Sequence, residues 1–398
     1  MISKEKLDEL KIEIRQEVLN QIDLSQEYSD EEISEIIREK ICCVAKEHAI
    51  DINHRLYLEK EIFNSMRKLD ILQDLLEEPE ITEIMINGYQ DIFVEKKGEL
   101  LRVDKHFISE EKLADVIQQI VAQNNRVVNE SHPIVDTRLA DGSRVNIVLP
   151  PVSVDKSVIC IRRFSKTQIR MKDLVANGSL SEEMREFLEG LVRSGYNIFI
   201  SGSTGSGKTT LINALSEYIP KSQRVITIED SAELQLIGVQ NLVRLEAREK
   251  NLEGKLEITI RDLVRSSLRM RPDRIIVGEC RGAETIELLM ANNTGHSGGM
   301  STGHANSTRD MIARLEMMSL MGMDLPMTAI RKQIASGIDI FIHIQRMPDR
   351  SRKVVEIAEV MGVMNDEVQL ETKYRYAGDD KWVLEHPLVH TERLEQYS

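Results

Sequence analysis

Between residues 202 and 210 the chain reads Gly202-Ser203-Thr204-Gly205-Ser206-Gly207-Lys208-Thr209-Thr210, a gapless match to G-x-x-x-x-G-K-[ST]. Glycines in this pattern let the backbone curl tightly and aim several N–H groups at anionic oxygens. The lysine supplies charge for β- and γ-phosphates, and the Thr209 hydroxyl a ligand for Mg²⁺. These residues predict binding of a nucleoside triphosphate. Hydrolysis asks for more: a carboxylate to orient water, and positive charge for the transition state.

Two apolar runs end in acid. Arg274-Ile275-Ile276-Val277-Gly278-Glu279 has the form of a Walker B strand, with Gly278 where an aspartate is usual. Glu279 is therefore the only acid at that tip, and we assign it to water activation and to Mg²⁺ through a water. Val225-Ile226-Thr227-Ile228 leads into Glu229-Asp230, with Glu233 beyond. Two acid-tipped parallel strands suggest a rim that holds metal-bound water, while a cap on the following turn explains Glu229-Asp230 equally well. The third segment is Thr294-Gly295-His296-Ser297-Gly298-Gly299-Met300-Ser301-Thr302-Gly303-His304-Ala305-Asn306. Its glycine density reads as a loop whose backbone must approach something closely. No cysteine or acid completes a metal site with the two histidines, so His304 is read as a hydrogen-bonding partner of a phosphate or a neighbouring strand.

The elements that must position these groups follow from hydrophobic periodicity. Asn197–Ser201 reads as a short buried strand and Lys208–Tyr218 as a helix whose N-terminus faces the phosphates. Strands at 224–228 and 274–278 alternate with helices at 259–270 and 283–292, which implies a parallel sheet covered on both faces. We expect this P-loop domain over 180–398. A polar linker is expected over 166–179. Residues 67–165 read as a small α+β domain, with hairpins turning at Lys97-Gly98 and Asp141-Gly142 and a helix over 109–124. Residues 1–66 read as amphipathic helices, with Leu7, Leu10, Ile14 and Val18 on one face and a Ser29/Glu32 capping box. They suit a self-packed bundle or a docking module.

Composition narrows the class. The 398 residues carry a formal net charge of −14 with 4% aromatics, the opposite of a basic channel lined with stacking rings, so no nucleic-acid partner is expected. Cys42, Cys43, Cys160 and Cys280 have no C-x-x-C spacing and are read as reduced thiols without zinc. No apolar run approaches the roughly 18 residues that span a bilayer, so a cytoplasmic protein is expected, docked peripherally on a membrane complex.

Together, the phosphate loop, I-T-I-E-D-S-A-E-L, V-G-E-C-R-G and T-G-H-S-G-G-M-S-T-G-H-A-N resemble the secretion ATPase superfamily of type II secretion, type IV pili and type IV secretion. P-I-V-D-T-R-L-A-D-G-S-R-V-N, L-R-M-R-P-D-R-I-I-V-G-E-C-R-G-A-E-T and I-R-K-Q-I-A-S are similar to the CpaF/TadA-type branch that assembles Tad, or Flp, pili. The lack of a tetracysteine module agrees with that branch. The resemblance covers about residues 67 to 365. It implies a homo-hexamer of two-domain subunits, a small α+β domain and a RecA-like motor, acting on inner-membrane platform proteins with ATP and Mg²⁺. It also implies that Arg138, Arg144, Arg162 and Arg163 face the phosphates. In the mechanism so implied, Glu229 supports Glu279, and His304 senses the γ-phosphate. Arg265, Arg269, Arg271 and Arg281 are read as sensors or subunit contacts.

Overall fold

A computed structural model describes residues 4–23, 26–48, 50–96, 98–164, 168–248 and 257–395, and chain contacts divide it into two units, Met1–Lys166 and Thr167–Ser398. In the first, helices α1 (Lys4–Gln21), α2 (Asp30–His48) and α3 (Ile52–Arg67) turn their i, i+3, i+4 apolar residues on one another. Leu10, Ile14, Val18, Ile37 and Leu58 are fully buried there. The capping box forms: the Ser29 amide donates to Glu32 at 2.7 Å and the Glu32 amide to Ser29 Oγ at 3.2 Å.

After α4 (Ile71–Glu77) come β1 (Ile81–Asn87), β2 (Asp91–Lys96), β3 (Glu99–Arg102), α5 (Glu110–Ala122), β4 (Ile134–Arg138), β5 (Arg144–Val148) and β6 (Val158–Arg162). The strands form one antiparallel sheet in the order β3-β2-β1-β6-β5-β4. Its period-2 apolar residues, Ile84, Ile86, Val145, Ile147, Ile159 and Ile161, pack with Leu113, Val116, Ile117 and Ile120 of α5. Lys112 donates to Ser65 O at 2.7 Å and Lys105 to Glu61 at 3.4 Å. Helices and sheet are thus one unit across the boundary expected near residue 66.

The second unit comprises α6 (Met171–Ala176), α7 (Glu182–Arg193), β7 (Ile198–Ser201), α8 (Lys208–Leu215), β8 (Arg224–Glu229), β9 (Asn241–Glu246), α9 (Ile260–Ser267), β10 (Arg274–Val277), α10 (Glu284–Asn292), β11 (Met300–Gly303), α11 (Thr308–Gly322), α12 (Met327–Gly337), β12 (Ile340–Arg346), β13 (Arg352–Met364), β14 (Glu367–Gly378), β15 (Lys381–Leu384) and α13 (Glu392–Glu395). Its sheet runs β15-β14-β13-β12-β7-β11-β10-β8-β9. The strands from β12 to β9 are parallel, and β13–β15 extend the sheet antiparallel. Successive side chains of each central strand enter opposite cores. Ile198, Ile200, Ile276 and Ile342 meet Leu188 and Leu211 on one face; Phe199, Ile275, Val277 and Phe341 meet Val264, Leu288 and Leu315 on the other. Helices on both faces explain why these strands are apolar throughout.

Two expectations need correction. Of the expected linker, residues 166 and 167 lie outside the described residues, but 171–176 form α6, whose Met171 and Leu174 belong to the core of the second unit. The glycine-rich segment is not all loop: Met300–Gly303 is the buried strand β11, at the centre of the sheet. The close approach is to Arg274, a fully buried arginine that donates to Val192 O at 2.7 Å and Gln223 at 2.5 Å. A Cβ at Gly298 would stand 2.7 Å from its guanidinium. Among the described residues no helix is long and apolar enough to cross a membrane.

Candidate nucleotide site

Strand β7 is buried along its length and delivers the chain into the phosphate loop, and α8 starts at Lys208. Gly205 and Gly207 take φ +70° and +102°, left-handed backbone that a side chain would strain. Ser203, Thr204 and Gly205 are exposed, Gly202 and Ser206 are buried, and Thr209 and Thr210 are half-buried in the first turn of α8. Lys208 folds back on the loop. Its Nζ donates to Gly202 O at 3.1 Å and Ser203 O at 2.9 Å, and lies 3.4 Å from His304 Nδ1. Burial lowers its pKa, opposed by the Glu279 carboxylate.

Parallel register brings the remaining candidates to the same edge. Gly303 of β11 pairs with Ser201, and Val277 of β10 with Ser301 and Ile228, so His304 and Glu279 follow the ends of strands beside the loop. Glu279 Oε2 accepts from Arg281 at 2.8 Å. His304 Nε2 lies 2.8 Å from Glu279 Oε1, but without hydrogen-bond alignment, and that buried oxygen has no aligned donor. Burial and the Lys208 charge lower the His304 pKa against the pull of Glu279, leaving a neutral ring between an ammonium and a carboxylate at pH 7. Thr209 and the orphaned Glu279 oxygen are hard oxygen donors, the kind Mg²⁺ takes alongside retained waters.

Glu229 behaves differently from the rim expected of it. Its Oε1 accepts the amides of Glu233 and Leu234, both at 2.8 Å, and its Oε2 is buried without a partner. Burial raises its pKa, against those two amide hydrogen bonds. It holds the turn after β8, the capping role that the sequence left open. Asp230 lies 3.7 Å from Arg281 instead.

In the first unit, Arg138, Arg144 and Arg162 stand in register on β4, β5 and β6, with Arg162 Nε 3.0 Å from Glu83. Arg163 departs from its expected phosphate-facing role. Adjacent strand residues point to opposite faces, and its guanidinium donates to the carbonyls of Glu78 and, at 2.9 Å, Ile81. Arg265 is tied to Glu287 at 2.6 Å. Two residues that the sequence did not single out also reach the loop and its strand. Buried His343 of β12 has Nδ1 2.9 Å from Ser201 Oγ, and Arg352 of β13 donates through Nε to Gly205 O at 3.0 Å. Neither has a local motif; both arrive through sheet register.

Residues 66–378 match the family described as Type II/IV secretion system protein. A putative conjugal transfer protein of Mycobacterium tuberculosis is 33% identical over 294 residues, covering 72% of this chain and 83% of that protein. The type IV secretion system protein VirB11 of Brucella abortus is 32% identical over 312 residues, covering 69% and 84%. Among solved structures, the pilus retraction motor PilT, with bound ADP, aligns at a TM-score of 0.54 and 21% identity over 82% of this chain and 86% of its own. That likeness shows the fold, a small N-terminal domain followed by a RecA-like domain.

Proposed function

Because the chain belongs to the type II/IV secretion system protein family, we propose that it is an Mg²⁺-dependent ATPase that drives assembly of a Tad/Flp-type pilus. It works as a homo-hexamer on the cytoplasmic side of membrane platform proteins. The observation that carries the ATPase reading is the chain of contacts Lys208–His304–Glu279, which links the phosphate loop to an acid whose Oε1 meets His304 but accepts no aligned hydrogen bond.

In this mechanism Lys208 exchanges the Gly202 and Ser203 carbonyls for the β- and γ-phosphates, a move from neutral to charged acceptors that strengthens each bond, and the loop amides donate to the same phosphates. Thr209, and Glu279 through water, would hold Mg²⁺, which when bound neutralises charge on the β/γ oxygens. Glu279 Oε1 orients a water for in-line attack on the γ-phosphorus. The new P–O bond forms as the bond to the β–γ bridging oxygen breaks; ADP leaves with that electron pair, and the water's proton passes to the Glu279 carboxylate and then to solvent. His304 reports the change, because it touches both Lys208 and Glu279. Arg138, Arg144 and Arg162 are the candidate source of further charge, and phosphate release resets the two domains.

A second reading is a motor for conjugation or effector export. It is favoured by the names of the relatives, a conjugal transfer protein and VirB11. Lys208→Ala in the native host separates them, scored by electron microscopy for surface pili and by assays for conjugal transfer and secreted protein. Loss of pili with export intact supports the pilus reading. Loss of transfer or export with pili intact overturns it.

A further inference from the structure

The hairpin of β12 and β13 lies against the phosphate loop through one face. Ile344 places its carbonyl 2.3 Å from where a Cβ at Gly202 would stand, and its side chain 3.5 Å from the equivalent point at Gly207. In the register of the hairpin, Ile344 opposes Val354, and the next pair on that face is Arg346 opposite Arg352. The face therefore changes from apolar to doubly cationic where it reaches the loop. Arg352 Nε bonds Gly205 O at 3.0 Å, and its Cδ lies 3.3 Å from the Cβ position of Gly207.

Two like charges directly opposed on adjacent strands destabilise a hairpin. This chain has acid to spare, with a net charge of −14, yet neither arginine has a carboxylate partner among the described residues. Asp349, the acid in the turn, is engaged by Ser351, through its amide at 2.9 Å and its hydroxyl at 2.7 Å. The two terminal nitrogens of Arg352 carry no hydrogen bond to a described residue. A cation pair without a carboxylate partner, set beside a loop shaped for phosphate, suits an anionic ligand.

We infer that Arg346 and Arg352 are polyphosphate-binding residues, supplied by the same chain as the loop and separate from the arginines of the first unit. The inference rests on the nucleotide reading of the loop. Arg352 steadies Gly205 through its carbonyl; with nucleotide bound, the pair contacts its phosphate oxygens.

The test is equilibrium binding of ATPγS, ADP and adenosine, with Mg²⁺, to the full chain and to Arg352→Ala, Arg346→Ala and Arg352→Lys, with thermal unfolding of each without nucleotide as the folding control. Each alanine variant should weaken ATPγS on the order of ten-fold, the scale of a charge-assisted hydrogen bond. ADP should weaken measurably and adenosine not at all, and Arg352→Lys should restore part of the loss. Unchanged or tighter ATPγS binding by both alanine variants, or equal losses for adenosine, overturns the inference. If the unaltered chain binds no ATPγS, the nucleotide reading itself fails, a result distinct from the other two.

Discussion

Glu229 and Gly278 face each other across the β8–β10 pair: a Cβ on Gly278 would stand 2.9 Å from Glu229 Cγ. The glycine in the place of the usual strand-tip aspartate is thus a steric necessity, because the neighbouring strand's glutamate already fills the space. It also leaves Glu279 as the acid at that tip.

Restoring the aspartate is therefore predicted to do harm. Gly278→Asp should destabilise the second unit by about 1–3 kcal/mol through overpacking, and turnover should fall with it. Adding Glu229→Gly should recover more than the sum of the single effects permits. A double-mutant cycle by denaturant unfolding checks this; additivity within about 0.5 kcal/mol would show that the two positions do not meet.

Glu229 also predicts a pH dependence. Its folded-state pKa lies above the ordinary 4.5, so the folded chain binds more protons than the unfolded one between those values. Its contribution to stability is highest below 4.5 and falls as pH rises through the raised pKa. Glu229→Gln keeps an acceptor for the two amides and removes the ionisation. The melting temperature of the variant relative to wild type should therefore rise as pH climbs above 4.5 and through the raised pKa. A difference independent of pH would contradict a carboxyl whose pKa is raised by burial.

His304 touches both Lys208 and Glu279, so its loss should affect turnover more than affinity. His304→Ala should lower kcat on the order of ten-fold or more while KM shifts by only a few-fold. Steady-state kinetics resolve the two, and a rise in KM at constant kcat would make His304 a simple binding group.

The adjacent arginines should separate cleanly. Arg163→Ala removes a guanidinium from two backbone carbonyls and should destabilise the first unit by about 1.5–3 kcal/mol. Arg162→Ala, at an exposed pair with Glu83, should leave stability nearly unchanged and lower ATP turnover. Unfolding and turnover measured on both variants decide it. Equal stability losses would remove the distinction.

Local signals were legible in the sequence. The strand–loop–helix around Lys208, the apolar run before Glu279, the alternation of the first sheet and the Ser29–Glu32 box all depend on neighbours a few residues apart. Arg162 and Arg163 are consecutive, and neighbouring extended residues face opposite ways, a signal that the reading of all four arginines as phosphate-facing did not use. What lay beyond reach was set by register between distant segments. Arg352 meets Gly205 only because β13 pairs with β12, and β12 with β7. The glycines before β11 suggested a close approach without saying to what, because the buried guanidinium of Arg274 cannot be foreseen from its strand. Glu229 was ambiguous for the same reason, as its space is bounded by a glycine on another strand.

The central claim is that Glu279 activates water at a nucleotide held by Gly202–Thr210. The most direct measurement is ATP turnover and ATP binding by Glu279→Gln, an isosteric change that keeps the Arg281 contact possible and removes the charge. Binding within a few-fold of wild type, with turnover reduced about a hundred-fold or more, is the predicted result. Turnover equal to that of the unaltered chain would contradict it.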